Sequence, residues 1–164
     1  MQLEIDIEDW PEGDWVELAE RAAEATAQVA PELGNPRLLV SLLFTSDSRV
    51  HELNREWRGK DKPTNVLSFP MLERVDLVHL DPDEGPPEML GDIALAQGTC
   101  AREAGDKGIA LADHAAHLVV HGLLHLAGYD HEVSEAGADA MELLEANALA
   151  ILGIANPYTA IDAE

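Results

Sequence analysis

Three histidines fall within the stretch HGLLHLAGYDH, at positions 121, 125 and 131. Residues four apart on an α-helix lie one turn apart on the same face, so His121 and His125 can aim two imidazoles at one point. Gly128 permits the helix to end in a left-handed turn, and that turn can swing the chain back so that His131 supplies a third nitrogen. Neutral imidazole suits zinc, and three protein ligands with no evident fourth leave a coordination position for water or substrate. This is the donor set of a catalytic zinc, and it implies hydrolysis. A structural zinc normally closes with four ligands, usually including thiolates, whereas Cys100 is the only cysteine of the chain. Nickel, copper or iron suit the same three nitrogens. An ordinary polar or core histidine explains any one of the three, but not the triple spacing with a glycine at the turn.

The spacing H-x-x-x-H-x-x-G-x-x-H reproduces the metal ligands of the metzincin proteases with one difference. Their glutamate, the general base of peptide hydrolysis, follows the first histidine, and here that position is Gly122. The metal cage is kept and the peptidase base is lost. Asp130, next to the third histidine, is a candidate proton carrier, although a turn residue or a hydrogen-bond partner of a ligand is the simpler role. His117, one turn before His121, extends the same face and is expected as a hydrogen-bonded histidine behind the site rather than a fourth ligand. His114 is expected on the helix surface, and Cys100 as a small buried apolar residue. Gly91–Asp92–Ile93 is expected to mark a bulge or close backbone approach beside the site, or a simple strand entry.

These residues need elements to position them. Gln2–Ile7 alternates Leu3, Ile5 and Ile7 with polar neighbours, the period of a half-buried strand. Helical spacing runs from about Asp14, a candidate N-cap, to Val29 before Pro31. Arg37–Phe44 (RLLVSLLF) is a continuous apolar run that reads as a central strand, and Ser46 or Asp47 can cap a helix through about Trp57. Asn65–Phe69 reads as a strand stopped by Pro70. The acidic, proline-bearing segment from about Glu73 to Glu88 reads as an exposed excursion with an edge strand at Val75–Leu80, and Leu90–Ala96 as a returning strand. Helices follow at Thr99–Lys107, from about Leu111 to Ala127, and from about Ser134 to Leu152 before Gly153. Strands precede a mostly helical C-terminal half, so the class is α+β.

With 164 residues and 46% hydrophobic content, the chain suits one domain with one core. No apolar run approaches the length of a membrane span, and MQLEIDIEDW has neither a basic start nor an apolar signal core, so a soluble cytoplasmic chain is expected. Ten Lys+Arg against 32 Asp+Glu give a net charge of −22, which excludes a general nucleic-acid coat; DNA is not an expected partner. Half of the cations, Arg49, Arg55, Arg58, Lys60 and Lys62, fall between positions 49 and 62. That stretch is either a solvated helix face with ion pairs such as Glu52 with Arg55, or a docking site for anions.

HGLLHLAGYDH, together with LNREWRGKDKPTNVLSFP (Leu53–Pro70) and LGDI (Leu90–Ile93), closely resembles the YbeY family of bacterial endoribonucleases and ribosomal RNA maturation factors. The resemblance implies a small mixed β-sheet flanked by helices and a metal held by His121, His125 and His131. It further implies cleavage of single-stranded RNA, processing of small-subunit ribosomal RNA and ribosome quality control, with the ribosome or its associated proteins as partners. It gives Arg58 an activity-supporting role, and a guanidinium suits that role because it grips two phosphate oxygens and stabilises charge in a phosphoryl-transfer transition state. Lys60 and Lys62 would add looser guidance of the substrate. Phe44, Trp57 and Phe69 are the aromatics available for base stacking, and all three are expected in the core. A metallohydrolase of a peptide or small amide, and a non-enzymatic assembly factor with a structural metal, are the competing readings.

Overall fold

The structure is a computed structural model that describes residues 1–129 and 135–158. It contains a four-stranded sheet in the order β1-β2-β4-β3, formed by β1 (Gln2–Ile7), β2 (Leu38–Thr45), β3 (Val66–Pro70) and β4 (Glu88–Ala96). β1, β2 and β4 run parallel, while β3 lies antiparallel on the outer side of β4, so the sheet is mixed and the class is α+β. Leu39 pairs with Met89 and Val40 with Gly91, which leaves Leu90 as the extra residue of a bulge. The expectation of a bulge and close approach at Gly91 therefore holds: a Cβ there would run into the Phe69 carbonyl oxygen and the Leu126 side chain.

Six α-helices among the described residues surround the sheet: α1 (Trp15–Val29), α2 (Asp47–Arg58), α3 (Arg74–Val78), α4 (Gln97–Lys107), α5 (Leu111–Leu126) and α6 (Glu135–Ile151). The main core lies on one sheet face, where Val40, Leu42, Phe44, Ile93 and Leu95 meet buried residues of α1, α5 and α6. A smaller apolar cluster on the other face joins Leu67, Ala94 and Ala96 to Val50 of α2. Ser46 caps α2 by accepting from Arg49 N at 3.2 Å, as its sequence suggests. Asp14 forms no side-chain cap on α1, a departure from expectation, because its backbone is not in the extended region that capping residues adopt.

The expected strand at Val75–Leu80 is instead the short helix α3. Leu77 is buried and Leu80 packs on the same core one turn later, whereas Val75 and Val78 are exposed, so the inward residues recur at helical rather than alternating spacing. No single helix among the described residues is long and apolar enough to cross a membrane.

Candidate metal centre

His121 and His125 project from one face of α5, which packs against β3 and β4 of the sheet and against α1, α4 and α6. Both side chains are partly exposed while most of their helical neighbours are buried. The helix stops as its glycine suggests: Gly128 takes φ +98°, its N–H donates to His125 O at 3.0 Å, and Tyr129 N–H donates to Leu124 O at 3.1 Å. Arg74 braces this turn from outside. Its guanidinium donates to the Ala127 carbonyl at 2.7 Å, pairs with Glu32 at 3.0 Å and lies 4.7 Å over the Tyr129 ring, while Tyr129 OH donates to Glu32 at 2.8 Å. Burial opposes charge on Glu32, but the bonds from Tyr129 and Arg74 outweigh it and hold its carboxyl below the usual range.

The chain thus leaves the helix through a fixed turn two residues before His131. His131 itself, with Asp130 and Ser134, lies outside the described residues. Among the described residues no three donors converge on a possible metal position, so the structure carries two of the three expected ligands on one helix face. Their chemistry fits the group: two imidazoles one turn apart, with a buried carboxylate bonded to His121 Nδ1 at 3.1 Å.

That carboxylate, Glu145 of α6, is one the sequence reading missed. It is 1% exposed and also accepts from His117 Nε2 at 2.9 Å and from Tyr158 OH at 3.0 Å. Burial alone would raise its carboxyl, but the hydrogen bonds from the two histidines prevail and bring it down to about 2. A signal was present in the sequence, since Glu145 lies in register with Met141 and Leu149 on the buried stripe of α6. The expectation for His117, a hydrogen-bonded histidine behind the site, agrees with this geometry. His114 does not: it is buried, not on the surface, because its helix face is covered by α4, where Glu103 binds its Nε2 at 2.8 Å. Cys100 is fully buried as expected, and burial pushes its thiol up to about 12.

Gly122 faces the sheet. A Cβ at that position would come within 3.0 Å of the buried Ile93 side chain, so α5 rests on β4 where a metzincin carries its glutamate. Arg58, Lys60 and Lys62 are exposed at the end of α2 and in the loop beyond it, where Gly59 ends the helix at φ +67°. Among the described residues their side chains form no ion pair; Asp61, a candidate partner for Arg58, is bonded to His51 at 2.7 Å, and Glu52 pairs with Arg49 at 3.6 Å. Trp57 corrects the expectation of a core residue. It is 72% exposed because the buried residues of α2, Val50 and Asn54, lie on another face; Phe44 is in the core and Phe69 is half-buried.

The family profile described as "Endoribonuclease YbeY" matches residues 4–153. A protein named "Endoribonuclease YbeY" from Erythrobacter litoralis is 65% identical over 158 residues, covering 96% of this chain and 98% of its own length. One of the same name from Novosphingobium aromaticivorans is 59% identical, covering 98% and 97% respectively. The solution structure of TM1509 from Thermotoga maritima superposes with a TM-score of 0.57 at 27% identity, over 91% of each chain.

Proposed function

The chain belongs to the YbeY endoribonuclease family, and from that premise we propose that it is a metal-dependent endoribonuclease that cleaves single-stranded RNA and acts in ribosomal RNA maturation and ribosome quality control. The observation that carries the metal reading is the pair His121 and His125 on one face of α5, followed by the braced turn at Gly128 that leads to His131. In this reading the three histidines hold one zinc ion, and Arg58, Lys60 and Lys62 receive the substrate.

When bound, the metal supplies Lewis-acid polarisation at the scissile phosphodiester. The chain's own residues do the rest. His121, His125 and His131 supply neutral nitrogens as ligands. Arg58, free of acidic partners among the described residues, has its planar fork available for two phosphate oxygens and for the charge that grows on them. Lys60 and Lys62, on the following loop, add positive potential that orients the strand before it docks. A cytoplasmic location and contact with the ribosome agree with this role.

The peptidase reading fares worse, because Gly122 packs against Ile93 where the catalytic glutamate of a metzincin would stand. The deciding experiment is metal analysis of the purified protein combined with parallel assays on single-stranded RNA, double-stranded RNA and casein, with and without chelator. We expect chelator-sensitive cleavage of single-stranded RNA only, and loss of both metal and cleavage in His121→Ala and His125→Ala. Near-stoichiometric zinc in either variant would refute the ligand assignment. A folded His125→Ala protein that still supports normal ribosomal RNA processing in cells would favour the assembly-factor reading.

A further inference from the structure

Glu145 stands between Met141 and Leu149 on the buried face of α6, with no Lys or Arg paired to it among the described residues. An apolar side chain in such a place is often as stabilising as a buried charge or more so, so stability alone does not account for an acid here. An ionised carboxylate can only accept hydrogen bonds, so every polar neighbour must donate to it. Oε1 therefore accepts hydrogen bonds from His117 Nε2–H at 2.9 Å and from His121 Nδ1–H at 3.1 Å, and Oε2 accepts one from Tyr158 OH at 3.0 Å. Tyr158 also stands edge-on to the His117 ring, with centroids 5.8 Å apart. A neutral imidazole that carries its proton on Nδ1 has its lone pair on Nε2.

We infer that Glu145 is a positioning residue for the metal site: it fixes His121 as the Nδ1–H tautomer and so commits Nε2 to the metal, while His117 and Tyr158 hold the carboxylate in place. The inference rests on the reading of His121 as a ligand. It makes α6 and the segment after it part of the centre, although neither carries a proposed ligand. Without the carboxylate Nδ1–H loses the acceptor that favours this tautomer, so metal binding has to supply that preference itself.

Long-range proton–nitrogen NMR spectra of the histidine rings in the metal-free wild-type protein at neutral pH test the first step and need no variant to fold. The His121 proton is expected on Nδ1, and a proton on Nε2 overturns the inference. The second step is read by competition for Zn²⁺ with a chromophoric chelator. Glu145→Gln is expected to bind Zn²⁺ about 10–100-fold more weakly, with its His121 ring signals displaced. Tyr158→Phe leaves the Glu145–His121 bond in place and is expected to keep the tautomer and lose less affinity. Unchanged Zn²⁺ affinity in Glu145→Gln overturns the proposal. So does an equal loss in Tyr158→Phe, which would trace the effect to packing of the C-terminal segment. A wild-type protein that takes up no Zn²⁺ would instead sink the metal reading, and the proton position on His121 would still decide whether Glu145 holds that ring.

Discussion

At Arg58 a lysine is the informative replacement. The side chain is exposed and among the described residues pairs with neither Glu56 nor Asp61, the latter being engaged by His51. An ammonium keeps the charge but not the two-pronged grip, so Arg58→Lys is expected to retain zinc and lose cleavage on the order of a hundredfold, roughly 2.7 kcal/mol. Single-turnover cleavage and metal content of the same preparation measure both, and a wild-type rate would remove Arg58 from the chemistry. His114 makes a prediction about acid. Burial lowers its affinity for a proton despite the Glu103 bond, and its buried Nδ1 has no acceptor among the described residues, so protonation would strand a donor. Because the folded state holds that proton less tightly than the unfolded chain, the stabilisation is present above the ordinary histidine value of 6.5 and is lost as pH falls below it. Thermal melts of the metal-free protein should therefore decline through that range, and His114→Gln should decline less. The histidines at 121 and 125 were legible in the sequence because one turn of helix relates them. The burial of His114, the exposure of Trp57 and the reach of Glu145 were not, since each depends on which element abuts that helix face.

Between elements, the turn after α5 carries the greatest mechanical demand. Arg74, on the short helix α3, ties the Ala127 carbonyl, just past the end of α5, to Glu32 and Tyr129, across segments far apart in the chain. Arg74→Ala is expected to cost about 1 kcal/mol, discounted because the side chain is 43% exposed, and to lower the melting temperature by about 2–4 °C. On the proposed ligand set it should also weaken zinc binding, because the link between His125 and His131, the proposed third ligand, loses its brace; chelator competition reads this, and unchanged affinity would show that the turn holds itself. The packing of α5 on β4 gives a second expectation. Gly122→Ala gains about 1 kcal/mol of helix propensity against crowding at Ile93 and should be nearly neutral, whereas Gly122→Glu should abolish the cooperative melt. Most strands and helices followed from hydrophobic period and end signals. The segment at Val75–Leu80 did not, because two valines suggest a strand locally while Leu77 and Leu80 answer to the core.

Over the whole molecule the charge is −22, with half of the cations confined to positions 49–62. RNA held by that segment alone cannot release more counterions than its five cations permit. The logarithm of single-stranded RNA affinity should then fall against the logarithm of salt with a slope no steeper than about −3.5, from roughly −0.7 per phosphate. Fluorescence anisotropy across a salt series measures the slope, and a much steeper one would move the RNA path onto other cations. The surplus acid has a separate consequence at the outer edge of β1. Among the described residues this strand pairs only with β2, so its far side presents backbone groups to which another chain could add itself. Glu4 and Asp6 are exposed along the strand, with Glu8 just beyond it. A second copy pairing there would bring rows of like charge together, so the acidity that keeps RNA from most of the surface also discourages the protein from aggregating through its own sheet.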